Sequence, residues 1–173
     1  MNIPPVFSLK LWKLSAALVL LATLAACGFQ LRGTANWPFK TLYIGLPDNS
    51  QLGNELRRNI RNGTTTQLVE DPKEAEAIFE LINEYREKVV LTLNAAGRVR
   101  EYELRYQITF RVHNGKGQEW LPATTFKQKR IQTYDETVVL AKDNEDVILY
   151  KDMQHDMVDY ILRRMNAAKL AEQ

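Results

Sequence analysis

Within a predicted strand at 99–112, the chain alternates strictly between apolar and polar side chains from residue 102 onward. Six large apolar residues occupy every second position from Tyr102 to Val112. A period of two predicts a strand with one buried face and one polar face. At about 3.3 Å per residue this strand is ~46 Å long, so we expect long hairpins that project beyond the core.

Two further long strands flank this one, at about 77–93 and 118–134. Turn sequences at 94–97 and 113–117 separate the three strands, and the second turn contains the Asn-Gly pair that favours a tight antiparallel hairpin. Pro122 lies within the third strand, where its missing N–H predicts a bend or a sheet edge.

The first half of the domain predicts a short strand, a helix and a second, brief strand. An apolar run at 41–46 is typical of a buried strand. The helix that follows has Asp48 or Ser50 as its N-cap. Its apolar stripe consists of Leu52, Leu56 and Ile60. The segment 64–69 then predicts the brief strand.

A long helix follows the last strand. Asp143 or Asn144 is its predicted N-cap, and apolar residues recur at helical spacing as far as Met165. We expect this helix to cover the apolar face of the sheet, and its methionines to fill the core rather than form a binding site. The elements together predict an α+β domain.

The first 26 residues have the order of a secretory signal peptide. Lys10 and Lys13 precede an apolar run at 14–22, and small residues lead to Cys27, the chain's only cysteine. A transmembrane anchor is one alternative, but a span needs about 20 apolar residues. Only 14 residues run from 14 to 27. A secreted protein with one free thiol is the other alternative.

The four residues that end at Cys27, Leu-Ala-Ala-Cys, resemble the lipobox of bacterial lipoproteins. The resemblance implies that the leader is removed and that Cys27 is the lipid attachment site. Gly28, in place of aspartate, implies sorting to the outer membrane, facing the periplasm. We therefore expect a lipoprotein signal peptide at 1–26, a lipidated extended tether at 27–40 and a single domain at 41–173.

The net charge of the mature chain bears on one class of partner, nucleic acid. Two of the 23 basic residues lie in the leader, so 21 basic residues balance the 21 acidic residues of the mature chain. A neutral domain gives no reason from composition to expect nucleic acid as a partner.

The residues that catalysis requires are scarce. Ser50, in a helix-cap position, is the only serine after the leader, and Cys27 is expected to carry lipid. His113 and His155 have no companion at metal-ligand spacing. We therefore expect no enzyme activity, no cofactor and no metal site.

Basic residues on the long strands leave two possibilities open. If neighbouring strands bring them together, they form a local basic surface suited to phosphate or carboxylate. Alternatively, they lie on a solvated face and pair with Glu84, Glu101 and Glu103. The basic residues are Arg98, Arg100, Arg105, Arg111, Lys127, Lys129 and Arg130.

Four short segments follow one another in a recognisable order after the leader. They are CGFQLRG at 27–33, EYEL at 101–104, AKDNE at 141–145 and the stretch from Met153 to Arg163. Together they resemble the lipopolysaccharide-assembly lipoprotein family LptE, whose members are partners of the outer-membrane barrel LptD. The likeness covers nearly the whole mature chain.

The resemblance implies two helices packed on a mixed, mainly antiparallel sheet of about four strands. It also implies a non-enzymatic protein that plugs the LptD-type barrel, assists its folding and binds lipopolysaccharide. The family's lipid-binding lysine falls on Lys142. A second basic residue, at the family's hairpin tip, falls near Ala95, where this sequence departs from the pattern. Arg98 or Arg100 is the nearest substitute.

A second function stays open from the residues alone, namely a free-standing periplasmic lipoprotein that binds a small ligand or another envelope protein. Stable co-purification with a large β-barrel favours the first function. Extraction of the protein alone, together with an apolar pocket, favours the second. An envelope hydrolase, the third possibility, needs a catalytic arrangement that only the fold can assemble.

Overall fold

Two α-helices, one short 3-10 helix at Pro72–Glu74 and five strands make up the part of the chain that the structure describes. This computed structural model describes residues 35–135 and 139–168, without the side chains of residues 139–141 and 143. The strands are β1 (Thr41–Gly45), β2 (Gln67–Leu68), β3 (Ala77–Leu93), β4 (Val99–His113) and β5 (Glu119–Thr133). The helices are α1 (Gln51–Gly63) and α2 (Val139–Asn166).

One mixed sheet contains all five strands, in the order β2-β1-β3-β4-β5. β1 runs parallel to β2 and β3, whereas β3, β4 and β5 are antiparallel neighbours. The predicted α+β class and the mainly antiparallel pairing are therefore confirmed. The fifth strand is β2, the brief strand that segment 64–69 predicted.

β4 lies at the centre of the core, as its alternation predicted. Its five alternate apolar side chains from residue 104 to residue 112 are each 0% exposed and pack under the two helices. These side chains are Leu104, Tyr106, Ile108, Phe110 and Val112. The intervening residues point to the opposite side of the sheet, which neither described helix covers. We call that side the helix-free face.

α1 begins at Ser50, one of the two predicted caps. The Ser50 hydroxyl oxygen accepts a hydrogen bond from the Gly53 N–H at 3.1 Å, which satisfies one of the free donors at the helix start. The predicted apolar stripe is buried in the core and consists of Leu52, Leu56 and Ile60.

α2 begins at Val139, so the prediction of an N-cap at Asp143 or Asn144 is wrong. The residues Leu-Ala-Lys at 140–142 have high helix propensity, and the helical backbone continues without interruption through Asp143. A polar residue with cap chemistry therefore lies inside the helix. The prediction for the methionines is confirmed, because Met153, Met157 and Met165 are 0% exposed in the core.

The last residues of the predicted tether pack into the domain. Trp37 and Phe39 are 9% and 1% exposed, and their rings meet edge to face at 5.5 Å. The Ala35 N–H donates to the Gly63 carbonyl at 2.9 Å, at the end of α1. The compact structure therefore begins before residue 41, while the rest of the tether lies outside the described residues.

β3, β4 and β5 extend well beyond β1 as a three-stranded ribbon. β1 pairs with β3 only as far as Glu80, although β3 continues to Leu93. α2 follows the ribbon, since the Tyr150 hydroxyl donates to the Glu87 carbonyl at 2.8 Å. One face of the predicted projecting hairpin is thus covered. We call the end that carries the β3–β4 turn, residues 94–98, the distal end.

β5 is an edge strand, in agreement with the prediction from Pro122. Its register with β4 shifts between Phe110 and Val112, close to this proline. The Tyr134 N–H donates to the Arg100 carbonyl. In an antiparallel pair such bonds recur at every second residue, so the even-numbered residues of β5 that pair in this register bond to β4. The odd-numbered residues direct their N–H and C=O groups to the open edge.

The packing of α2 on the sheet leads to a first prediction. Replacing the fully buried Met157 by Ala is expected to lower the free energy of unfolding by about 2–5 kcal/mol, because it leaves a cavity in the core. Urea unfolding followed by circular dichroism measures this loss. The control is Lys151→Ala, at an exposed position of the same helix. An equal unfolding midpoint for Met157→Ala and the control would contradict this packing.

Candidate functional site

The three basic residues predicted to bind lipid, Lys142, Arg98 and Arg100, all lie at the distal end. The Arg100 carbonyl accepts a hydrogen bond from Tyr134, at 2.8 Å. Gln132 lies two residues before Tyr134 on β5, and its side-chain amide donates to the Lys142 carbonyl at 2.9 Å. This hydrogen bond attaches the first turns of α2 to β5. Arg98 lies in the β3–β4 turn itself. The fold therefore brings residues from distant parts of the chain to one end of the sheet.

The β3–β4 turn holds Arg98 and Arg100 outward. The Asn94 side-chain oxygen accepts hydrogen bonds from the Ala96 and Arg98 N–H groups, both at 3.0 Å. Gly97 has a φ of 75°, which only glycine adopts without strain. Both arginines are exposed. Local hydrogen bonds therefore define the turn. It contains Ala95 at the position where the family resemblance predicts a basic residue.

Lys142 is less exposed than the two arginines and already has an acidic partner. Its side chain is 18% exposed, and its Nζ lies 2.8 Å from a carboxylate oxygen of Glu145. This hydrogen bond lowers the pKa of Glu145 below its usual value. A phosphate group that binds Lys142 must therefore share the lysine with Glu145 or displace that carboxylate.

Lys88 and Asp146 complete the distal end, and sequence reasoning missed their pairing. Lys88 Nζ lies 2.5 Å from an Asp146 carboxylate oxygen and 4.4 Å from the centre of the Tyr102 ring. Asp146 is therefore an ion-pair partner of β3 and not a helix cap. Lys142 and Asp146 are four residues apart, so the sequence contained the signal that both share one helix face.

The basic residues of the long strands are divided between the two sides of the sheet. Lys127 and Lys129 point to the helix-free face, whereas Arg130 points to the helices and pairs with Asp156 at 2.7 Å. The near-run of basic residues on β5 is split because neighbouring residues of a strand face opposite sides. Arg111 likewise pairs with Glu80 at 2.7 Å.

Glu103 is the centre of the charge pairing on the helix-free face. Its carboxylate is 8% exposed and binds Arg105 at 2.7 Å and Lys129 at 3.3 Å. The hydrogen bond from Arg105, followed by that from Lys129, lowers the pKa of Glu103. For these strand residues the alternative prediction, basic groups neutralised by acidic neighbours, describes the structure.

A chain of polar contacts links the sheet to both helices. Arg86 donates to the Tyr106 hydroxyl and to the Gln154 side-chain oxygen, both at 3.1 Å. The Gln154 amide in turn donates at 2.7 Å to Glu55, a carboxylate of α1 that is 5% exposed. Burial raises the pKa of Tyr106. The second oxygen of Glu55 contacts His155, so this histidine has a structural partner.

A cavity of about 520 Å³ opens on the helix-free face. Its lining mixes charges of both signs with two tyrosines, Tyr85 and Tyr106, and the charged residues are Glu87, Glu103, Arg105, Lys127 and Lys129. Among the described residues no group of three or more His, Cys, Asp or Glu side chains could hold a metal ion. Cys27, the predicted lipid attachment site, lies outside the described residues.

A comparison of the sequence with protein-family models identifies its relatives. The model described as LptE, lipopolysaccharide-assembly, matches residues 39–165, which span most of the domain. The chain belongs to the LptE family. Membership gives this LptE-family protein a role in lipopolysaccharide assembly and confirms the resemblance drawn from the four sequence segments.

Solved structures agree with the LptE assignment. Uncharacterized lipoprotein B from Nitrosomonas europaea is 37% identical, covers 81% of this chain and 91% of its own, and superposes with a TM-score of 0.69. Rare lipoprotein B from Shewanella oneidensis is 28% identical over 73% of this chain and 94% of its own, with a TM-score of 0.63. A minor lipoprotein from Acinetobacter baumannii, 21% identical over 79% and 99% of the two chains, shares the fold at a TM-score of 0.64. A comparison with curated proteins gave no match.

Neither of the two described α-helices of this LptE-family protein combines the length and the apolar character that crossing a membrane requires.

The Glu103 contacts give a pH-dependent prediction. Because Arg105 and Lys129 lower the pKa of this carboxyl in the folded state, the ion pairs stabilise the protein above the unfolded pKa of about 4.3 and are lost as pH falls through the folded value. Glu103→Gln is therefore expected to lower the urea midpoint at pH 7 and to match the wild type once pH falls well below 4.3. Glu70→Gln, at an exposed position, is the control. A deficit of Glu103→Gln that stays constant with pH would show that the ion pairs are not its cause.

Proposed function

We propose that this protein is a non-enzymatic outer-membrane lipoprotein that plugs a lipopolysaccharide-transport β-barrel of the LptD type, assists the folding of that barrel and binds lipopolysaccharide. The observation that carries the proposal is the family match over residues 39–165. Two structural features support the finer statements, the charge-paired helix-free face and the basic distal end.

The helix-free face suits a polar environment such as the lumen of a barrel. The interior of a transmembrane barrel is polar, in contrast to its lipid-facing wall. The helix-free face presents charged side chains that already neutralise one another, for example Arg105 with Glu87 at 3.3 Å and Arg111 with Glu80 at 2.7 Å. Such a surface can meet polar barrel residues without leaving an unpaired charge.

The distal end supplies cations for the phosphate groups of lipopolysaccharide. Arg98 and Arg100 are exposed on a defined turn, and guanidinium groups bind phosphate through paired hydrogen bonds. Lys142 lies at the same end and adds a point charge. We propose Lys142, Arg98 and Arg100 as the lipopolysaccharide-binding residues.

Attachment to the outer membrane, at its periplasmic leaflet, is proposed from the N-terminal sequence. The lipobox at Leu24 to Cys27 supports removal of residues 1–26 and acylation of Cys27. One acyl chain binds a membrane marginally, whereas several chains anchor a protein durably. The anchor would hold the domain near the barrel before the two assemble.

The cavity on the helix-free face supports a second candidate function, a free-standing periplasmic lipoprotein that binds a small ligand. Its volume of about 520 Å³ falls within the range of small-molecule sites. Its lining joins the apolar stems of long side chains to charged ends of both signs, which suits a ligand that has both apolar and polar groups.

Affinity purification of the full-length protein from detergent-solubilised membranes separates the two candidates. We expect an equimolar large β-barrel to remain bound and to be identified by mass spectrometry, because a plug has an extensive interface with its barrel. A tagged, unrelated outer-membrane lipoprotein serves as the control for detergent carry-over. Recovery of the protein alone would contradict the plug function and favour the small-ligand candidate.

Substitutions at the distal end test the lipid-binding residues. Lys142→Ala, Arg98→Glu and Arg100→Glu are each expected to weaken lipopolysaccharide binding by about 5–100-fold, the range for one charge-assisted contact. Glu145→Gln is expected to strengthen it, because this change removes the carboxylate that competes for Lys142. Fluorescence titration with labelled lipopolysaccharide measures all four.

Two matched controls accompany these variants. Lys151→Ala removes an exposed lysine from the same helix, and Lys116→Glu reverses a charge in the other ribbon turn. Wild-type affinity in all three distal variants, with normal unfolding curves, would rule out the assigned residues.

A further inference from the structure

The part of β3 that extends beyond β1 is an open sheet edge. β1 pairs with β3 only as far as Glu80, so residues 81–93 have β4 as their one neighbour among the described strands. An open edge of this length can accept an added strand from another chain.

The strand register identifies the backbone groups that this edge presents. Even-numbered residues of β4 bond to β5, so its odd-numbered residues bond to β3. Their partners from 83 to 89 are odd-numbered as well. The N–H and C=O groups of Glu84, Arg86, Lys88 and Val90 therefore point away from β4, and they form a row of donors and acceptors with which an extended segment can pair.

The edge of β3 lacks the protection that the edge of β5 has. Lysine side chains oppose strand addition at natural sheet edges, and β5 carries Lys127 and Lys129. Residues 81–93 contain one lysine, Lys88, whose ammonium group lies 2.5 Å from the Asp146 carboxylate. Since that charge is already paired, the β3 edge resists an added strand less than the β5 edge does.

Exposed apolar side chains are concentrated on the same stretch of β3. The described residues include eight exposed large apolar side chains, and five of them follow Glu80 on this strand. Single exposed apolar residues are ordinary, whereas a series along an unpaired strand marks an interaction site. The five, each 41–57% exposed, are Ile82, Tyr85, Val90, Leu91 and Leu93.

The two sides of the β3 edge differ in chemistry. The helix-free face carries Tyr85, Val89 and Leu91, and Glu87 between them is paired with Arg105 at 3.3 Å. The helix side carries charged groups that already have partners within the domain. An added strand that matches both sides is therefore apolar on one face and polar on the other. The charged groups are Glu84, Arg86 and Lys88.

Amphipathic strands of this kind are the units of a transmembrane barrel. They alternate between apolar residues that face lipid and polar residues that face the lumen. Until the barrel closes, its first and last strands also have unpaired edges. A strand of an unclosed barrel thus offers both the backbone groups and the side-chain alternation that the β3 edge accepts.

We propose that residues 81–93 of β3 pair with an amphipathic strand of the partner barrel before that barrel closes. This inference rests on the proposed assistance of barrel folding and specifies the backbone contact through which it acts. Pairing satisfies the N–H and C=O groups of both edges and covers Tyr85 and Leu91 with apolar side chains. The β3 edge is released when the terminal strands of the barrel pair with each other.

A labelled peptide replaces the barrel strand in the test. The probe is a nonapeptide of alternating valine and threonine with a lysine added at each end. Its binding to the full-length protein in detergent micelles is titrated by fluorescence anisotropy. One comparison peptide has the same composition in scrambled order, and another has N-methylated valines and threonines. Wild type is expected to bind the alternating peptide about tenfold more tightly than either comparison peptide.

Three substitutions locate the binding site. Val90→Lys and Leu91→Lys place an ammonium group on opposite sides of the β3 edge, and each is expected to weaken binding of the alternating peptide about fivefold or more. Ile131→Lys makes the same change at a residue of β5 that is 60% exposed, and this matched control is expected to bind as wild type does. Circular dichroism checks folding, and either β3 variant suffices if the other does not fold.

Three outcomes would overturn the inference. Equal binding of all three peptides, or wild-type affinity in both β3 variants, would exclude strand addition at this edge without affecting recovery of the barrel by affinity purification. A concentration-dependent dimer of wild type that Leu91→Lys abolishes would assign the edge to a second copy of the chain. Failure to recover a barrel would overturn the proposed function and remove the barrel as the partner, even if the alternating peptide binds.

Discussion

Burial of the apolar face of β4 is the constraint on which the rest of this domain depends. Five alternate side chains of that strand are withdrawn from water, and only helices packed over them can achieve this. The methionines of α2 and the leucines of α1 fill the space above the strand. Because α2 is long enough to follow the ribbon, the same packing that forms the core also carries Lys142 and Asp146 to the distal end. The candidate site is thus a consequence of core packing.

Polar contacts then determine how the two helices are positioned on the apolar face of the sheet. Arg86 connects β3 to Tyr106 of β4 and Gln154 of α2, and Gln154 connects α2 to Glu55 of α1. Each buried group has a partner on another element, so sliding one helix would leave a donor or an acceptor unsatisfied. Apolar packing supplies most of the stability, while these directional contacts select one arrangement of the helices.

The parts of the fold that the sequence predicted well are those in which one pattern dominates. Alternation in β4 predicted its buried face, and cap chemistry predicted Asp48 or Ser50 as the N-cap of α1, which is Ser50. Prediction failed where two signals competed. Asp143 and Asn144 have the chemistry of caps, but the residues before them favour helix, and α2 therefore begins at Val139. Trp37 and Phe39 lie beside Gly33 and Pro38, which indicated an extended tether, yet their rings are needed in the core.

The candidate site was predictable only in part, for the same physical reason. The resemblance of one segment identified Lys142, but no local pattern shows that Lys88 meets Asp146, because 58 residues and a sheet register separate them. The sequence likewise did not show which side of the sheet a strand residue faces where charged residues are adjacent in the chain. Lys129 and Arg130 are adjacent in sequence and lie on opposite sides of the sheet, so a basic run became two separate ion pairs.

The open edge of β5 has a consequence for the protein before it meets any partner. Unpaired strand edges are templates on which chains stack into aggregates. β5 carries Lys127 and Lys129 at positions whose backbone N–H and C=O groups point to the open edge. A second chain docking there would have to strip water from two ammonium groups. The same strand that completes the sheet therefore also opposes pairing of its own open edge with a second chain.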